Sequence, residues 1–228
     1  SPISARREAN RMTAGLVPML RTVGVALLAV AWAVGAHVAS ASGEPSHWGA
    51  ALAIAPLGLA LVLALWRFPQ RWLAALAAAA SLALLAWAWP ALTSEVALLY
   101  FVQHVGVNLL LAAFFGRTLS GPEESLITRL ARKVHGGVLS ERQVAYTRWV
   151  TKAWTTFFLA MAVISVVLFV WAPVASWSVF ANLLGAPLTG AMFVGEYLWR
   201  LRCLPSHERS TFADAVRAWK QHGSDQTP

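Results

Sequence analysis

Residues 153–173 read AWTTFFLAMAVISVVLFVWAP, 21 residues without a charge. As a helix at 1.5 Å per residue this run is about 31 Å long, the thickness of a bilayer's hydrocarbon core. It is apolar all round rather than along one stripe, so no face is left for water. Working outward, five more runs have this character, at about 22–40, 49–68, 72–92, 96–116 and 177–199. The expectation is an all-α integral membrane protein with six transmembrane helices in one transmembrane domain covering 1–228. The composition agrees. Of 228 residues 58% are hydrophobic and 12% charged, against about 45–50% and about 25% in ordinary globular domains. The mean hydropathy is +0.58. These values exclude a soluble globular domain, a disordered chain, a coiled coil and a secreted disulfide scaffold. Cys203 is the one cysteine, which rules out an intramolecular disulfide and a cysteine metal cluster.

Charge predicts the orientation. With the N-terminus inside, the cytoplasmic segments are 1–21, 67–71, 117–152 and 200–228, and these hold all 18 lysines and arginines. The short outer loops carry Glu44, Glu95 and His47 but no basic residue. That asymmetry predicts both termini in the cytoplasm. The net charge of +8 and the pI of 10.8 then anchor loops against anionic headgroups. No nucleic-acid motif is present, so no nucleic acid is expected as a partner. A competing reading takes span one as a secretory signal cut near Ala39-Ser40-Ala41, leaving five spans and an outside N-terminus.

Two cytoplasmic segments have substance. In 117–152, Pro122, Glu123 and Glu124 suit the start of a helix, and Gly136-Gly137 suits its end. Leu126, Ile127, Leu130 and Val134 share one face, with Arg129, Arg132 and Lys133 on the other. This predicts an amphipathic interfacial helix between spans four and five; the alternative is a solvated helix packed on the protein. Ser140 and Gln143 form a capping-box pattern opening a second helix that leads into span five. In the tail 200–228, Phe212, Val216 and Trp219 follow a cap-like Thr211/Asp214 pair. The alanines of span three (Ala74, Ala75, Ala77–Ala80) suggest a central packing helix. Pro56 and Pro187 are expected to bend spans two and six, with span six the most irregular.

Polar groups within a bilayer are costly and so are candidate functional groups. Tyr100, His104 and Asn108 recur every four residues on one face of span four, flanked by Gln103. His104 lies near the midplane, where it could relay protons, bind a headgroup or act as acid or base, with Tyr100 and Asn108 orienting it. The alternative is a histidine whose nitrogens are satisfied by a neighbouring helix; Asn182 on span six is a candidate partner. Glu196 is the acidic residue within a span, and Arg200 follows in the favoured i, i+4 order. The two form an interfacial ion pair, or face a substrate together with Arg202. His135 with Arg129, Arg132, Lys133 and Arg148 makes either a solvated basic loop or an anion site suited to phosphate, CoA or phosphopantetheine. The histidines are too scattered to expect a metal site, and no cofactor motif is present.

The segments Leu126-Ile127-Thr128-Arg129, Val134-His135-Gly136, Tyr146-Thr147-Arg148, Trp154, Gly195–Arg200 and Leu204-Pro205 resemble a bacterial inner-membrane protein family. That family is found with fatty-acid-type enzymes of aryl-polyene pigment and lipid gene clusters, and some members are labelled ketosynthase. The resemblance covers spans four to six, and the N-terminal half by hydropathy. It implies a multi-pass inner-membrane protein engaged with acyl lipids. A ketosynthase needs a nucleophilic cysteine beside two histidines or a His/Asn pair; Cys203 stands alone in a basic tail, so these residues do not support that activity. The expected function is an accessory role in synthesis, anchoring or handover of an acyl or polyenoyl lipid at the cytoplasmic leaflet. Membrane lipids, and an acyl carrier protein or acyl-CoA enzymes at the cytoplasmic face, are the expected partners. The alternatives are an intramembrane lipid-modifying enzyme using His104, and a small lipid carrier or flippase.

Overall fold

The computed structural model describes residues 2–120, 124–134 and 137–205. Its regular elements are all helical: α1 (Pro2–Ala41), α2 (His47–Trp66), α3 (Arg71–Ser94), α4 (Val96–Gly116), α5 (Leu126–Val134), α6 (Glu141–Trp171), α7 (Val174–Ser178) and α8 (Gly185–Cys203). A 3-10 turn at Arg117–Leu119 follows α4, and a π-helical turn at Val179–Leu184 joins α7 to α8. Among the described residues, six stretches are long and apolar enough to cross a membrane: Met19–Ala41, His47–Trp66, Arg71–Ser94, Val96–Leu119, Glu141–Trp171 and Val174–Cys203. By length and composition this is an all-α, multi-pass membrane protein. The tail helix suggested by Thr211 to Trp219, and Pro122, Glu123, His135 and Gly136, lie outside the described residues.

The chain divides into two compact units, Ser1–Tyr100 with Val174–Leu183, and Phe101–Pro173 with Leu184–Pro228. In the first unit α1 and α2 meet through small side chains. Ala36, Ala39, Ser40, Gly49, Ala50 and Ala53 are all buried, and a Cβ on Gly49 would lie 2.9 Å from that of Ala39. Backbones packed this closely gain dispersion contacts that lipid tails do not supply. Ser46 caps α2 by accepting the Gly49 N–H at 3.0 Å, and donates its own N–H to the Thr93 carbonyl at 2.9 Å. The end of α3 is thereby tied to the start of α2.

The Ala-rich α3 is not a central packing helix. Thr93 is its one buried residue, and only a half-buried file including Ala74, Ala78, Ser81 and Leu85 interrupts its exposed surface. Small side chains permit close packing without requiring it, and Trp72, Leu76, Leu82 and Trp87 stand out from this helix. The irregularity of span six is the π-helical turn. Pro187 falls in the first turn of α8, directly after that turn with no break in the helical backbone, so its missing N–H leaves a carbonyl of the π-helical turn without that intrahelical bond.

In the second unit, α6 supplies the core. Tyr146, Val150, Trp154 and Phe158 recur every four residues and pack with Ala112, Phe115 and Leu204. At 31 residues α6 is about 46 Å long, some 16 Å more than a hydrocarbon core. Its opening turns hold α5. Ser140 accepts the Gln143 N–H, and the Gln143 side chain accepts the Ser140 N–H in return, completing the capping box.

Candidate functional site

The strongest polar constellation joins the opening turns of α6 to the last turns of α8. Tyr146 on α6 donates its hydroxyl to Glu196 Oε1 at 2.5 Å. Arg200, one turn beyond Glu196, donates from Nη2 to both carboxylate oxygens at 2.8 and 2.9 Å, and from Nε to Oε1 at 3.1 Å. The Glu196 side chain is 9% exposed and that of Arg200 30%. A carboxylate so withdrawn from water needs this fork, because an uncompensated buried charge is costly. Trp149 stacks on Trp199 with ring centroids 5.5 Å apart, and Trp154 lies 4.6 Å from Phe193. Later residues of α6 meet earlier residues of α8, so the two helices run antiparallel.

Between them runs an open groove of about 490 Å³. Trp149, Lys152, Ala153, Thr156, Phe157 and Ala160 line it from α6, and Met192, Gly195 and Glu196 from α8. Its charged residues gather at one end. From Lys152 to Ala160 the groove descends about 12 Å along α6, its walls formed mainly by Ala153, Phe157, Ala160, Met192 and Gly195. A Cβ on Gly195 would meet nothing within 4 Å. The small residues keep the groove open, and its volume lies within the ordinary range of small-molecule sites.

A second polar cluster docks α5. Thr128, 1% exposed, places its hydroxyl 2.6 Å from Ser125 and 2.8 Å from Thr147. Thr151 donates to Ser125 at 3.2 Å, and Leu126 N–H donates to Thr118 at 2.9 Å. Hydroxyls therefore seat this helix together with Ile127, which packs against the core cluster; Leu126 is half-buried and Leu130 is exposed. Glu124 pairs with Arg132, which also donates to the Gly137 carbonyl at 2.8 Å. That guanidinium holds the Glu124 carboxyl below the usual carboxylate range, and the carboxylate raises Arg132 in turn. Arg129 and Lys133 are exposed, and Arg148 donates to the Leu119 carbonyl at 3.1 Å. Arg132 and Arg148 are thus engaged by Glu124 and by backbone carbonyls.

The face of α4 distributes its polar groups among separate partners. Tyr100 donates to the Gly49 carbonyl at 3.3 Å within the first unit. In the second, His104 Nδ1 lies 3.1 Å from the fully buried Ser165 hydroxyl, and Asn108 donates to the His104 carbonyl at 2.8 Å. Gln103 is half-buried. Asn182 donates to Ser40 at 3.0 Å and Ser178 at 3.1 Å, and His37 Nδ1 lies 2.8 Å from Ser178. This first-unit cluster joins α1 to the π-helical turn.

Compared with protein-family models, curated proteins and solved structures, the chain matches none. Among the described residues no group of histidine, cysteine, aspartate and glutamate is placed to hold a metal ion.

Tyr146, Lys152, Ser165 and the groove-lining Gly195 are site residues that the reading of single segments does not assign. Helical spacing signals Glu196 with Arg200. Tyr146 lies 50 residues from Glu196 in the chain, and their meeting depends on how α6 and α8 pair.

Proposed function

We propose that this protein is an accessory component of the bacterial inner membrane that holds an acyl or polyenoyl lipid at the cytoplasmic leaflet for synthesis, anchoring or handover. The groove between α6 and α8 carries this reading. It offers one end that tolerates charge and a wall that suits a hydrocarbon chain. Its descent of about 12 Å from Lys152 compares with about 15 Å for half a hydrocarbon core. Both termini lie in the cytoplasm, as the gathering of all 18 basic residues into four segments favours. In that orientation the ionic end of the groove opens at the inner leaflet.

In this account α5 rests on the inner membrane surface, with exposed Leu130 toward lipid and the exposed basic residues Arg129 and Lys133 on the side that meets an acidic carrier protein or an acyl-CoA enzyme. The similarity of 126–129, 146–148 and 195–200 to the aryl-polyene-associated family supports the same reading. The test is lipid and pigment mass spectrometry of a deletion strain with inner and outer membranes separated. Loss of one acyl or polyenoyl product from both membranes is the expected result. Accumulation of that product in the inner membrane alone would replace the accessory role with transport, and an unchanged lipid and pigment profile would end the proposal.

A further inference from the structure

Resting on the reading of the groove as an acyl-chain site, we infer that its occupant is a single-chain fatty acyl carboxylate, with Lys152 as the head-group contact. Three observations converge on this class. The groove is small: Ala153, Ala160 and Gly195 are among the residues that line it between two helices, and its volume of about 490 Å³ suits one chain better than the pair of a phospholipid. Its ionic end is already partly neutralised. Glu196 lines the groove, but its oxygens accept from Arg200 and Tyr146, so it does not stand as a bare repelling carboxylate. Lys152 lines the same end, is exposed, and has no acidic partner among the described residues.

The charge left for a ligand is therefore a single ammonium. A carboxylate carries one charge and matches it. A phosphate monoester head carries about −1.5 to −2 and asks for several cations or an arginine fork, and the fork of Arg200 is occupied by Glu196. Lys152 is also flexible, with a four-carbon stem that can lie along apolar surface while its ammonium meets the head group.

Three probes with one chain length separate the possibilities: hexadecanoate, hexadecanol and hexadecyl phosphate. Their retention is measured on the full chain in phosphatidylcholine nanodiscs, at mildly alkaline pH where the carboxylic acid is ionised. The wild type is expected to retain hexadecanoate about fivefold better than hexadecanol, the scale of one partly exposed ion pair, and better than hexadecyl phosphate. Lys152→Gln should abolish the preference for hexadecanoate over hexadecanol while leaving hexadecanol retention intact. Gly195→Leu fills the groove and should lose all three probes. Gly58→Leu, at a position with open space around it and outside the groove, serves as the folded control and should bind as the wild type does.

A carboxylate preference that survives Lys152→Gln, or a phosphate probe retained best, would overturn the head-group assignment while the acyl-chain groove stands. Full retention of all three probes by Gly195→Leu, or retention no better than by protein-free nanodiscs, would overturn both.

Discussion

At the scale of the residue, Glu196 depends on its neighbours more than they depend on it. Arg200→Met leaves a carboxylate with 9% exposure beside a single phenol, and should lower stability by about 1–3 kcal/mol in a detergent unfolding titration. Glu196→Gln removes the charge and keeps a group that can accept from both partners, so its loss should be smaller. An Arg200→Met protein as stable as the Glu196→Gln protein would show that the carboxylate needs no fork. The spacing of Glu196 and Arg200 makes this pair legible in the chain, since i, i+4 neighbours meet on any helix. Tyr146 is not legible that way. The same holds for His104: the cost of a polar group in an apolar span marks it as a candidate, but Ser165 is 61 residues distant and only folding brings it near.

At the scale of the element, α5 shows what amphipathic patterning conveys and what it misses. The helix and its closing glycine are visible in the sequence, and Gly137 adopts φ 99° with its N–H on the Arg132 carbonyl at 2.9 Å. The docking face is not, because Ser125 and Thr128 read as polar positions while they are among the most buried. Thr128→Val should cost about 1 kcal/mol of local stability and speed amide exchange within α5 about fivefold, with α6 unaffected. Unchanged exchange would mean that the hydroxyl cluster does not seat the helix. Acid should loosen the same element. Because Arg132 lowers the Glu124 carboxyl from its ordinary 4.5, the stabilisation is present above that value and is lost as pH falls through the lowered one. Faster α5 exchange in acid, abolished by Glu124→Gln, is the expected signature.

Gly49 makes the corresponding prediction for α1 and α2. Gly49→Leu drives a side chain into Ala39, 2.9 Å from where its Cβ would sit, and should reduce the yield of folded protein. Gly58→Leu, at a position with open space around it, should not.

At the scale of the whole molecule, the apolar runs make the six candidate spans readable because a bilayer imposes length and apolarity on any helix that crosses it. Which helices lie at the periphery is not imposed in that way. The alanines of α3 suit close packing as well as a lipid-facing wall, and α3 has a largely exposed surface. The groove is likewise a property of two paired helices rather than of either strand of sequence. The central claim is that this groove holds an acyl chain, and co-purifying lipid tests it most directly. Wild-type and Gly195→Leu proteins are extracted from their native membrane, and the bound lipids are compared by mass spectrometry. The account predicts an acyl compound held in near-stoichiometric amount by the wild type and absent from Gly195→Leu. Identical bound lipids in the two proteins would contradict it.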